Sequence, residues 1–180
     1  STTFTDAAGG TWSATGDAAI STALTAGGDL LLDGSGDYVT RSISVDQFRL
    51  EADFSLRWSS WKSADGENSY DMVLSVDDGS GFNGWFVELT AYRGFFSYHH
   101  GAGGTLLAYN FNPNDSTWHN YEFRRVAGVL ELLIDGVSVA TALNSWPLTH
   151  SSTIAAIGST VGGVYTFAGH IKNIVLEVTS

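Results

Sequence analysis

Residues 118–140, WHNYEFRRVAGVLELLIDGVSVA, constrain the fold more than any other stretch of the chain. Tyr121 and Phe123 alternate with Glu122 and Arg124, the period of two that sends successive side chains to opposite faces of a strand. Val126, Ala127 and Gly128 supply a turn, residues 130–134 a second strand, and Asp135-Gly136 a pair suited to the left-handed angles of a type I′ hairpin. Residues 137–140 continue as a third strand. Three short antiparallel strands form a meander, which is stable only as part of a larger sheet.

Composition extends that reading to the rest of the chain. Twenty-one glycines against two prolines, with many Thr, Val and aromatic residues, favour strands and tight turns over helices. No window keeps a helical apolar period for three turns. At 180 residues, 43% of them hydrophobic, the chain suits one core, and residues 1–180 are expected to form one domain. Nineteen acidic against eight basic residues leave a formal charge of −11, which repels nucleic acid and anionic membranes. There is no cysteine, so disulfides, thiolate metal sites and thiol nucleophiles are ruled out. No apolar run of about 18 residues is present to span a bilayer, and membrane insertion is not expected. Beginning at Ser1, with no secretory leader, the chain reads as a soluble piece of something longer.

The remaining segments fit the same pattern. Residues 1–28 read as extended strands with turns at Gly9-Gly10 and Gly16-Asp17. Leu50, Ala52, Phe54, Leu56 and Trp58 alternate with Glu51, Asp53, Ser55 and Arg57, which predicts a half-buried strand over 50–58 followed by a polar loop over 59–69 that carries Trp61. Strands are predicted near 70–76, 85–92, 95–100, 106–111, 153–157 and 165–178. About a dozen short strands at spacings of roughly 8 to 12 residues indicate a sandwich or barrel.

Six pieces in order resemble the laminin-G-like branch of the concanavalin A-like lectin and glucanase superfamily. They are Asp33-Gly34-Ser35-Gly36-Asp37-Tyr38-Val39, the alternating strand over 50–56, Trp118-His119, the run from Leu130 to Asp135-Gly136, Ile157-Gly158, and Phe167-Ala168-Gly169-His170-Ile171. The resemblance implies an all-β, antiparallel jelly-roll β-sandwich of concanavalin A-like type, with one sheet often concave and used for ligands. The lead-in FTDAAGG and the later DGSGDYV are also similar to domains of bacteriophage virion proteins, which implies a virion-surface or extracellular setting.

Several chemistries follow from the residues. Glu51 and Asp53, on one face of the predicted strand and about 7 Å apart, suit the paired carboxylates of a glycosidase. The laminarinase-like enzymes of the superfamily carry a further carboxylate two or three positions on, where this chain has Ser55 and Leu56, so the expectation is no enzyme, with a glycan hydrolase or lyase as the least favoured reading. No G-x-S-x-G elbow supports a serine triad. His99 and His100, adjacent on a strand, face opposite ways and do not share a metal. Calcium is the cofactor to weigh, because Asp65, Glu67 and Asn68, and again Asp33 and Asp37, offer hard oxygens, although ordinary turn chemistry accounts for the same residues. Where relatives ligate calcium from an acidic residue in the last strand, this chain has Lys172 and Asn173.

Saccharides are held by aromatic rings on their apolar faces and by polar groups at their edges. The candidates are Trp61, Tyr92, Tyr98, His100, Tyr109 and Asn112, with Glu51, Asp53, Glu88 and Arg124 as polar partners. Trp12, Trp58, Trp85 and Trp118 fit inward positions. The leading expectation is a non-catalytic, lectin-like module that binds a cell-surface glycan in adhesion or host recognition. The alternative is a structural virion or protein-interaction domain without sugar specificity, packed against a partner or copies of itself.

Overall fold

The computed structural model describes residues 3–24, 28–64, 70–77, 84–91, 94–99 and 104–179, which hold fifteen strands and no helix. In chain order these are β1 (Thr3–Thr5), β2 (Thr11–Thr15), β3 (Ala19–Ser21), β4 (Asp29–Asp33), β5 (Tyr38–Ser42), β6 (Asp53–Trp61), β7 (Asp71–Ser75), β8 (Trp85–Thr90), β9 (Gly94–His99), β10 (Gly104–Tyr109), β11 (Trp118–Val126), β12 (Val129–Ile134), β13 (Val137–Leu143), β14 (Ile154–Ile157) and β15 (Ala168–Thr179). They form two antiparallel sheets. One runs β1-β2-β5-β14-β7-β8-β9-β10, the other β13-β12-β11-β6-β15-β4-β3.

The meander forms as its sequence predicts. Tyr121 pairs with Ile134 and Val126 with Val129, and two-residue turns at Ala127-Gly128 and Asp135-Gly136 have positive φ at both positions, 49° and 78°, then 52° and 80°. That is the type I′ geometry whose twist matches the flanking strands. Ala127 is an unusual residue at positive φ, and its N–H donates to the Asp53 carboxylate at 2.9 Å. At the N-terminus, Asp6 ties the β1–β2 hairpin together by accepting bonds from the Gly10 N–H, the Trp12 indole and the Arg41 guanidinium.

β6 is the central strand of the seven-stranded sheet, paired along its length with β11 and β15. Its alternation sends Phe54, Leu56 and Trp58 into the core, all no more than 3% exposed, and leaves Ser55, Arg57, Ser59 and Trp61 on the outer face. Trp58 stacks on Tyr121 of its own sheet with ring centroids 5.0 Å apart and meets Phe95 of the other sheet at 6.3 Å. Phe123 packs against Phe54 and Phe95.

β6 begins three residues later than the sequence suggests and runs three residues further. Leu50 is drawn out of it into an isolated bridge with Leu148. The cause is Arg125: buried, it donates to the carbonyls of Leu50 (2.7 Å), Ala52 and Trp146 (2.6 Å) and so diverts the chain before Asp53. At the other end, continuation through Trp61 takes residues 59–61 of the predicted polar loop into the strand.

Beyond Trp61 the two sheets are joined by a buried ion pair. Lys62, just after β6, meets Asp71, the first residue of β7, at 2.5 Å with both side chains almost fully buried. The second Asp71 oxygen accepts the Ala168 N–H, and the Lys62 ammonium lies 4.7 Å from the Phe167 ring centroid. Burial pushes the Asp71 carboxyl up and the Lys62 ammonium down, against their mutual attraction. Removing one partner of such a pair strands the other charge. Lys62→Met is therefore expected to cost about 3–5 kcal/mol in urea unfolding, and the double change Lys62→Met with Asp71→Leu to recover most of that loss.

Candidate functional site

The outer face of the seven-stranded sheet gathers chemistry from its three central strands. Register places Trp61 directly between Trp118 of β11 and His170 of β15. The three rings make a row across the sheet, with His170 edge-on to Trp61 at 5.6 Å and to Trp118 at 6.4 Å. The Lys172 ammonium sits 3.8 Å from the Trp118 ring centroid, and Asp29 of β4 accepts a bond from His170 Nδ1. Gly169 permits this close approach: a Cβ there would lie 2.3 Å from the Trp61 carbonyl.

Next to this row the sheet surface drops into a depression of about 380 Å³. Its origin is a β-bulge in β15. Lys172 faces Ser59 and Val175 faces Arg57, so three steps on β15 oppose two on β6. Asn173 takes up the extra residue with φ 55°, a conformation that Asn tolerates better than other side chains with a Cβ. Arg57, Ser59, Asn120, Glu122 and Asn173 line the depression. Arg57 donates to Glu177 at 2.6 Å, and the Ser59 hydroxyl to the Asn120 side-chain oxygen Oδ1 at 2.8 Å.

Asn120 is positioned by the β12–β13 turn. Asp135 accepts its backbone N–H at 2.9 Å and also takes His119 Nδ1 at 2.6 Å, while His119 Nε2 meets Asp115 at 2.8 Å. Partial burial alone would lower the His119 pKa, but the bonds and charges of Asp115 and Asp135 outweigh it and raise it. Asp135 is likewise raised by burial and lowered by more through the Asn120 amide and His119.

The sequence-derived candidates divide between surfaces. Trp61, Asp53 and Arg124 lie on this sheet, with Arg124 bound to Glu131 at 2.6 Å and the Asp53 carboxylate to the Ala127 amide. Tyr98 and Glu88 belong to the eight-stranded sheet. Tyr98 stands in a stack with Phe86 at 5.5 Å and Phe96 at 6.1 Å, so its ring face is occupied by neighbours, and Glu88 is 2% exposed. Tyr109 packs on Phe111 beside the core. Asn112 closes an Asx turn on the Asn114 N–H. Glu51 lies before β6, paired with Arg49 at 2.6 Å, so it shares no strand face with Asp53. His99 is buried, donating through Nε2 to the Thr149 carbonyl. Tyr92, His100, Asp65, Glu67 and Asn68 lie outside the described residues.

Trp118 is the clear departure from expectation: it lies half-buried on the outer face instead of in the core. Its register with Trp61 could have been found from the meander's own alternation, since Tyr121 inward places Trp118 outward. Asn173 was missed because a bulge leaves no periodic trace, and His170 because its pairing with Trp61 joins strands distant in the chain. Asp33 and Asp37 do come together, joined by Asp17, with carboxylate oxygens within 4.8 Å of one another. Both Asp37 oxygens, however, already accept backbone N–H groups, from Asp17 at 2.8 Å and Asp33 at 3.2 Å, which is turn chemistry.

No family model and no curated protein matches the sequence. Solved structures do match in fold. Domains LG4-5 of the mouse laminin alpha1 chain align over 83% of this chain with a TM-score of 0.64 and 15% identity. The fold is an antiparallel jelly-roll β-sandwich. Domain 4 of AbnA, a GH43 extracellular arabinanase from Geobacillus stearothermophilus, matches this jelly roll over 93% of the chain at a TM-score of 0.67 and 12% identity, and was solved in complex with arabinotriose. A botulinum neurotoxin type C structure, whose description ties cell entry to two ganglioside molecules, aligns over 81% at 0.60 and 14%. The jelly roll spans 40% of the laminin chain, 37% of the toxin chain and 81% of the arabinanase domain.

The His119 network sets a pH dependence. A histidine whose folded pKa is raised contributes stability that is fully present below its unfolded value of about 6.5 and is lost as pH rises through the folded value. The urea midpoint of the native chain is therefore expected to fall between about pH 6 and pH 8, and His119→Gln to flatten that part of the profile.

Proposed function

We propose that this jelly roll is a carbohydrate-recognition domain that takes a saccharide on the outer face of the seven-stranded sheet. The observation that carries the proposal is the aromatic row Trp118-Trp61-His170 set against a polar depression opened by the β15 bulge. One sugar ring stacks on Trp61. Its hydroxyls, and those of the next residue about 7 Å along the strand, reach Asn120, Arg57 and Asn173. The shallow, solvent-facing form suits selection of a polymer surface by several weak contacts, with Kd values on the order of 10 μM to 1 mM, or about −4 to −7 kcal/mol per site.

Support comes from two further points. The fold-level likeness includes an arabinanase domain solved with arabinotriose and a toxin structure described in terms of gangliosides. Two carboxylates on the face are paired with basic groups, Glu131 with Arg124 and Glu177 with Arg57, each at 2.6 Å. Hydrogen bonds from Ser138 and Arg124 lower the Glu131 pKa, whereas a glycosidase acid must be kept protonated. We therefore read the domain as non-catalytic, and place it outside the cell or on a virion surface, in adhesion or host recognition.

A second reading, a structural virion or protein-interaction domain without sugar specificity, draws on β13, an edge strand that exposes Val137 and Leu143 at 63% and 88%. Exposed apolar edges favour pairing with another chain.

Glycan-array screening followed by titration calorimetry separates the two. A saccharide ligand is expected, with affinity reduced about tenfold in Trp61→Ala, equivalent to about 1.4 kcal/mol, and with no new reducing ends after incubation. Absence of binding to any polysaccharide, together with a stable oligomer broken by Leu143→Lys, would favour the second reading.

A further inference from the structure

The row Trp118-Trp61-His170 does not end at the histidine. Register carries it on to Leu31 of β4 and Ala19 of β3, so five neighbouring strands present two indoles, an imidazole, an aliphatic chain and a methyl in turn. Leu31 is 37% exposed although β4 is an internal strand of its sheet, while Leu30 beside it packs against the core. Adjacent strands lie about 4.8 Å apart, which sets Leu31 one step beyond His170 and two beyond Trp61. A large apolar side chain left in water there gains little from the fold and offers its surface to a ligand.

Between Trp61 and Leu31, the imidazole of His170 is held in one orientation. Its Nδ1 donates to Asp29, whose side chain is fully buried, and that bond decides which ring nitrogen carries the proton. The neutral ring then has its lone pair on Nε2. Among the described residues Nε2 has no hydrogen-bond partner, and it is not sealed from solvent. A sugar ring stacked on Trp61 therefore meets, in order along the row, a fixed acceptor and an apolar contact.

We propose that the sugar stacked on Trp61 is an N-acetylated amino sugar, its acetamido N–H donating to His170 Nε2 and its methyl resting on Leu31. A hydroxyl in place of the acetamido group donates to Nε2 but leaves Leu31 uncovered. A carboxylate there sets an acceptor against an acceptor. The inference rests on the saccharide reading given above and adds the class of sugar to it: Trp61 supplies affinity common to many sugars, and His170 with Leu31 chooses among them.

The test is calorimetric titration with two matched pairs of probes, chitotriose against cellotriose, and the methyl β-glycoside of N-acetylgalactosamine against that of galactose. Members of each pair differ only in the acetamido group. In at least one pair the acetamido sugar is expected to bind about tenfold more tightly. Leu31→Thr, a change at an exposed strand position, should bring that pair within about threefold, by weakening the acetamido sugar and leaving its partner unchanged. In the isotope-labelled native chain, the Nε2 resonance of His170 should move on binding that sugar while Nδ1 stays in place, and His170→Phe, which keeps a ring in the row, should weaken it about tenfold. No preference in either pair, a preference that survives Leu31→Thr, or an unmoved Nε2 resonance would overturn the proposal. Binding of arabinotriose or another plain sugar without any acetamido preference sinks this inference and leaves the saccharide reading standing, whereas failure of every saccharide to bind removes both.

Discussion

The alternation of β6 is the constraint on which the rest of the structure depends. One strand supplies three of the apolar residues at the centre of the core, Phe54, Leu56 and Trp58, and from its other face the polar and aromatic residues that give the outer surface its chemistry. Because side chains change face at each residue, a slip of one position in its pairing with β11 or β15 would put Arg57 in the core and Trp58 outside. The stacking of Trp58 between Tyr121 and Phe95 fixes that register. Core packing and the candidate saccharide surface are thus two results of the same pairing.

Two buried cations mark the limits of this strand. Arg125 gathers backbone carbonyls before its first residue, and Lys62 pairs with Asp71 after its last. Each replaces backbone hydrogen bonding, where the ladder stops, with a charged donor that a low-dielectric interior strengthens.

Much of the sandwich could be read from the chain. The turns at Ala127-Gly128 and Asp135-Gly136, the inward set of β6 and the closing strand follow from period-two alternation and turn chemistry, which are local. What alternation could not supply is pairing between distant strands. It gave Trp61 no neighbour, left Glu51 apparently beside Asp53, and assigned Trp118 to the core. Each depends on a contact across 50 residues or more: Trp61 with Trp118 and His170, Leu50 with Arg125, the bulge of β15 with Arg57 and Ser59. The sugar candidates were therefore dispersed over both sheets, and of the three on β6 and β11, Asp53 and Arg124 lie at the opposite end of the strands from Trp61.

The bulge at Asn173 has a consequence for how the last strand is counted. In a ladder, length is also parity: the extra residue is what lets His170 and Lys172 share a face with Val175 and Glu177, although odd and even numbers would otherwise separate them. Loss or gain of a single residue between Lys172 and Val175 would exchange the inner and outer sides of everything after it, burying Glu177 and turning Ile174 and Leu176 to water. The final strand of this sandwich consequently tolerates substitution far more readily than it tolerates a change in length.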